Sequence, residues 1–263
     1  MTALPVLFIS HGAPTFALEP GVLGPALTTL GATLDRARAV LVVSPHWQTP
    51  GVEVQGAAMP GTIHDFGGFD PELYTLSYPA SGHPELAART AALLSGAGFA
   101  ARVEPARGFD HGAWVPMRHL RPGADLPVFQ VSMPRRLDAA GAVALGRALA
   151  PLREEGVVIV GSGSMTHNLW EIQPPQSPPV AYAREFAAWV GARVLAGDLE
   201  SLADYRARAP HAERAHPTEE HYLPLVVAAA AAPGEVATLV PGGILYGVLS
   251  MDSFVWGRPA AAA

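Results

Sequence analysis

Four short apolar runs constrain this chain more than any other feature. They read "PVLFIS" (5–10), "AVLVVSP" (39–45), "PVFQVS" (127–132) and "GVVIVGSG" (156–163), each bounded by Gly, Ser or Pro. A run that is apolar at consecutive positions has no face to offer water, so it predicts a strand covered on both sides. Helical patterns lie between and after these runs, at 23–37, 84–96, 136–155, 180–195 and 218–232. The second opens with proline in its first turn and closes at glycine. The last has Thr218 as its expected N-cap, with acidic residues behind it, although Pro224 blurs where the regular helix starts. Buried strands alternating with helices predict an α/β fold: a three-layer α/β/α sandwich around a mainly parallel or mixed central sheet. The Gly- and Pro-rich stretches 50–84 and 173–179 are expected as loops over one sheet edge, which leaves residues 1–263 as a single catalytic domain.

Composition narrows the partners. A chain of 263 residues that is 49% hydrophobic can bury a sizeable core. Its formal charge of −6 and its lack of any basic run argue against nucleic acid and anionic membrane surfaces. There is no cysteine, so disulfides, thiolate nucleophiles, iron–sulfur clusters and cysteine-bound zinc are all excluded. Any metal must be held by His, Asp or Glu. No charged region precedes the first apolar stretch, and the longest apolar run, 223–232, is far shorter than the roughly 20 residues that span a bilayer. The expectation is a cytoplasmic enzyme acting on a small molecule, as a monomer or small homo-oligomer.

Three of the apolar runs each deliver a histidine just past the carboxyl end: His11 after "VLFIS", His46 in "SPHW" and His167 in "GSGSMTHNL". Open α/β sheets build their ligand sites along that edge, which favours one shared site over three separately packed histidines. The phrase "AHPTEEHYLPL" adds His216 and His221. Their spacing of five, broken by Pro217, is not the His-Glu-x-x-His pair of zinc proteases. His221 shares a helical face with Leu225, which favours it over His216 as the inward-pointing ligand. Neutral imidazoles converging without cysteine suit zinc, iron or another borderline divalent cation. Asp65 and Asp110 flank His64 and His111 in "HDFGGF" and "GFDHGAW". The glycines and aromatics there suit loops lining a pocket, or plain Asp-capped turns. "GSGSM" is neither a Gly-x-Ser-x-Gly elbow nor a phosphate loop, so no serine nucleophile is expected.

The phrases "SHGAP", "SPHW", "TIHDFGGF", "YPASG", "GFDHGAWVPM", "GSGSMTHNL" and "HPTEEHYLPL" follow one another from Ser10 to Leu225. Together they resemble the DOPA-dioxygenase type of class III extradiol ring-cleavage dioxygenases, in the LigB-like superfamily. The resemblance implies an α/β/α sandwich that opens a DOPA-like catechol with O2 to a muconic semialdehyde. It implies one non-haem Fe(II), with Zn(II) as the alternative ion in purified or crystallised protein, held by His11, His46 and His221. Relatives that open protocatechuate use a glutamate as third ligand, for which Glu219 or Glu220 would be the fallback here. His167 matches the family's acid/base histidine and is a candidate fourth ligand. His111 would hydrogen-bond substrate or oxygen, while His64, Asp65, Trp47 and Trp114, with Phe66, would contact the substrate or wall its pocket. Two other readings fit the same scaffold: a zinc-dependent hydrolase or amidase using these histidines, and a non-enzymatic binding protein similar to Memo. No basic residue is obviously placed for a substrate carboxylate; Arg118, Arg135 and Arg136 are the candidates.

Overall fold

The computed structural model describes residues 3–257; residues 1–2 and 258–263 of the expected domain lie outside that description. In chain order the strands are β1 (Val6–Ser10), β2 (Ala39–Thr49), β3 (Val52–Gln55), β4 (Ala101–Glu104) and β5 (Val128–Pro134). They continue with β6 (Val157–Gly163), β7 (Ala237–Val240), β8 (Ile244–Leu245), β9 (Leu249–Ser250) and β10 (Ser253–Trp256). Eight of them make one sheet in the order β4-β3-β5-β2-β6-β1-β10-β7, and β8 and β9 form a separate hairpin. The four runs singled out by their apolar content are the parallel centre of this sheet, β5-β2-β6-β1. Antiparallel pairings of β3 with β5 and of β10 with β1 extend it on either side, so the sheet is mixed.

The helices are α1 (Leu23–Gly31), α2 (Pro84–Gly96), α3 (His111–Leu120), α4 (Ala139–Leu149), α5 (Ala181–Leu195), α6 (Leu199–Ala203), α7 (Tyr205–Arg208), α8 (Ala212–Ala215) and α9 (Leu223–Ala231). Side chains alternate across a strand, and here both faces are buried. Val6 and Phe8 of β1 join a core with α2, α4, α5 and α9, while Leu7 and Ile9 join another with α1 and α3. This is the three-layer sandwich that the alternation of runs and helices predicts. Among the described residues no helix is long and apolar enough to cross a membrane.

Several boundaries differ from expectation for local reasons. The last helix begins at Leu223 rather than near Thr218, because Pro224 is tolerated only in a first turn. Thr218 is therefore no cap; its Oγ1 donates to Glu220 Oε1 (2.9 Å). The expected helix 136–155 is α4 alone, started by Asp138, whose carboxylate accepts from the Gly141 N–H (2.7 Å), with a 3-10 turn after it. The stretch 50–84, expected as loop, contains β3 and a 3-10 turn at Pro71–Thr75. Two glycines let α9 lie close on its neighbours. A Cβ on Gly161 of β6 would run into the Pro224 carbonyl, and one on Gly146 of α4 into that of Val227. The residues just before α9 are thereby held over the carboxyl end of β6, where the Ser164 N–H donates to the His221 carbonyl (2.9 Å).

Candidate metal centre and active site

His11 extends the β1–β6 pairing by one residue, its N–H donating to the Gly163 carbonyl (2.9 Å). Gly12 then turns the chain away at a positive φ of 62°, a conformation that glycine adopts without strain. The His11 side chain is fixed by Ser162. The Ser162 hydroxyl donates to the Gly112 carbonyl, so its oxygen is left to accept the His11 Nδ1–H (2.9 Å). The Nε2 lone pair of His11 then faces inward.

His46 does not lie past its strand, as expected, but within it. β2 continues to Thr49, and its register against β5 shifts between Val43 and Gln48. That irregularity turns His46 toward the end of β1, with its Nε2 3.2 Å from His11 Nε2. Beneath it the His46 N–H donates to Ser44 Oγ (3.2 Å), and Ser44 donates to Asp110 Oδ1 (2.8 Å). Asp110 is fully buried; burial raises its pKa, only partly countered by the Gln130 amide donating to Oδ2 (2.7 Å). It braces the strand rather than facing the site.

His221 supplies the third nitrogen. Its Nδ1–H donates to Glu220 Oε1 (3.1 Å), which leaves a buried Nε2 with no hydrogen-bond partner. One ring nitrogen from each of His11, His46 and His221 lies within 4.8 Å of the others. The donor set fits a divalent cation. Ligand nitrogens at about 2.0–2.1 Å from a metal, subtending 90–109°, stand about 2.8–3.4 Å apart, which spans the observed His11–His46 separation. Only a proton or a cation between two such lone pairs makes that approach favourable. Burial, followed by the neighbouring imidazoles, lowers the pKa of His11 and His221 well below the ordinary value. Burial and His111 bring that of His46 to about 3, against an opposing pull from Asp65. All three are therefore neutral near pH 7, the state in which histidine binds metal.

Two more histidines edge the cluster. The His167 ring stacks on His221, centroids 3.5 Å apart and 8° from parallel, and burial chiefly lowers its pKa to about 4. The His111 ring lies 3.9 Å from that of His46. Asp65 accepts the His111 backbone N–H (2.8 Å) and sits 3.1 Å from its Nδ1. Burial pushes the Asp65 carboxyl up, but its contacts with His111 outweigh this and hold it below the usual range.

These five imidazoles floor a cavity of about 540 Å³, walled by Phe66, Phe69, Leu169, Ile172, Tyr246 and Leu249. Other residues expected here lie elsewhere. His64 is turned away, with Nε2 3.0 Å from the Leu76 carbonyl. Trp114 is wholly buried because its indole N–H donates to the Ile63 carbonyl (3.0 Å); it backs Phe66 instead of lining the cavity. Trp47, next to His46 on the strand, is buried beneath the Arg107 guanidinium, 4.8 Å away. His216 is buried against the Met165 carbonyl (2.9 Å), outside the cluster. Glu219 is held by Arg206 (3.2 Å) and Tyr205, whereas Glu220, which accepts from His221, also has a carboxylate oxygen within 4.8 Å of ring nitrogens of His167 and His221. Sequence reasoning missed Phe69, Leu169, Ile172, Tyr246 and Leu249. The available signal was the largely apolar "LWEI" (169–172), one residue past His167.

Residues 23–246 match the family model described as the catalytic LigB subunit of aromatic ring-opening dioxygenase. The chain is 40% identical over 255 residues to a Beta vulgaris protein named 4,5-DOPA dioxygenase extradiol, with 94% of each covered. It is also 40% identical over 257 residues to an Escherichia coli K12 protein of the same name, covering 96% of this chain and 94% of that one. The crystal structure of an uncharacterized Escherichia coli K12 protein, JW3007, matches with a TM-score of 0.80 and 32% identity, over 97% of this chain and 100% of that one. The chain belongs to the LigB family and is a metal-dependent extradiol aromatic ring-opening dioxygenase.

Proposed function

We propose that this chain opens the ring of a DOPA-like catechol, a benzene-1,2-diol bearing a side chain, with O2 to give a muconic semialdehyde. His11, His46 and His221 hold the metal, and Fe(II) is the working ion. The observation that carries this reading is the convergence of three neutral imidazoles from separate segments beneath an apolar cavity. Relatives named 4,5-DOPA dioxygenase extradiol support the choice of a substituted catechol. When bound, Fe(II) supplies Lewis acidity toward the catechol oxygens and reducing electrons toward dioxygen, whereas Zn(II) supplies only the first.

The chain's own groups do the rest. His167, neutral above about pH 4, accepts the proton of a catechol hydroxyl and returns it as the ring opens. His111, which lines the cavity with Asp65 beside its Nδ1, holds the second oxygen of the reacting pair. The hydrocarbon walls exclude water, which strengthens these polar contacts and protects reactive species from hydrolysis.

The test is oxygen uptake by anaerobically Fe(II)-reconstituted protein mixed with a panel of catechols. Stoichiometric uptake with a yellow ring-opened product is expected. His167→Ala is expected to keep its metal but lose about 10²–10⁴-fold in turnover. No uptake across the panel, with zinc tightly retained, would overturn the reading in favour of a zinc hydrolase.

A further inference from the structure

The walls of the catechol cavity carry information about the substituent on the ring. Phe66, Phe69, Leu169, Ile172, Tyr246 and Leu249 offer hydrocarbon and one phenol. That phenol is already engaged, 3.1 Å from Thr15 Oγ1. Leu169 and Ile172 stand at the mouth, 56% and 41% exposed, so the apolar lining continues to solvent.

Among the described residues no arginine lines the cavity to meet an anionic arm. The chain has no lysine, and all 17 of its basic residues are arginine. The nearest by sequence are engaged elsewhere. Arg214 forms a two-pronged pair with Glu171 (2.8 and 2.7 Å), which cancels the one charge in the "LWEI" segment. Arg107 lies over Trp47 and 3.6 Å from Asp110. Arg118 points at the Ser77 carbonyl (3.4 Å). Arg135, Arg136 and Arg206 line a separate depression, together with Asp138, Glu219 and Glu220. A backbone donor is likewise spoken for: the first N–H of α3, on His111, is taken by Asp65 (2.8 Å).

We infer that the catechol admitted by this cavity carries an uncharged, apolar substituent, such as an alkyl or aryl group, in place of the charged side chain of DOPA. A carboxylate against this wall loses hydration and meets no counter-charge, whereas a hydrocarbon arm gains by leaving water. The inference rests on the cavity being the catechol site, and so on the function proposed above.

Isothermal titration of Zn(II)-loaded protein separates the two, because zinc permits binding without turnover. The probes are 4-ethylcatechol, DOPA and 3,4-dihydroxyphenylacetate at pH 7. The expected result is at least tenfold tighter binding of 4-ethylcatechol than of either charged probe. Leu169→Arg, at an exposed position, is expected to narrow the gap to 3,4-dihydroxyphenylacetate by about tenfold with no loss of thermal stability. Equal or tighter binding of DOPA would overturn the inference while leaving ring opening intact. Selective binding of 4-ethylcatechol without oxygen uptake by the Fe(II) protein would overturn ring opening and leave the substituent class standing. Binding of no catechol would overturn both.

Discussion

At Ser162 one hydroxyl decides which nitrogen of His11 is free. With its own proton committed to Gly112, it accepts from Nδ1 and leaves Nε2 for a cation. Ser162→Ala is therefore expected to weaken metal binding by about 10–100-fold, the usual cost of losing a group that orients a ligand; competition against a chromophoric chelator measures it, and unchanged affinity would argue against the assignment. His216 tests burial rather than coordination. Its pKa is lowered by burial to about 3 in the fold, against about 6.5 when unfolded. The folded state thus binds fewer protons between those values. The stabilising contribution is complete above pH 6.5 and is lost as pH falls toward 3, at about 1.4 kcal/mol per pH unit. Between pH 6.5 and 5, His216→Gln is expected to lose about 2 kcal/mol less stability than the parent, read from urea denaturation at the two pH values.

At the scale of elements, the site depends on how tightly α9 seats on β6. Gly161→Ala places a methyl group against the Pro224 carbonyl. It is expected to cost about 1–3 kcal/mol, as overpacking does, and to loosen metal binding as well, because His221 lies just ahead of α9. Thermal melts with and without metal measure both effects, and a variant as stable as the parent would show that the helix has room to move. The same elements explain what could be read in the sequence. The central strands β1, β2, β5 and β6 were legible because burial on both faces leaves continuous apolar runs. The short strands β4 and β7 were not, since each has only four residues and is partly exposed, β4 with charges among them. Helix α3 was hidden by its glycine and proline, though its face packs on α1. His11 and His167 followed from strand ends, and His46 from the same logic although a register shift, not a strand end, delivers it. His221 was favoured through its spacing from Leu225 even though it precedes the helix. Apart from Phe66, the cavity walls were not legible, because Tyr246 and Leu249 come from the small β8–β9 hairpin and reach the histidines only through tertiary folding.

For the whole molecule, a metal at the proposed site would link the two halves of the chain. His11 and His46 come from its beginning and His221 from near its end, so a cation bound there stabilises only the folded state. Saturation at about 100 times Kd adds about 2.7 kcal/mol. Chelation is expected to lower the thermal midpoint, and His11→Ala to abolish the difference between metal-loaded and metal-free protein. An unchanged midpoint on chelation would place the ion elsewhere or nowhere. The central claim is that this site inserts dioxygen into a catechol ring, and the most direct measurement is the mass of the product formed under isotopically labelled dioxygen. Incorporation of both labelled atoms into a ring-opened product, lost in His46→Ala, is the expected result. A product carrying oxygen only from water, or no labelled product from any catechol, would contradict it.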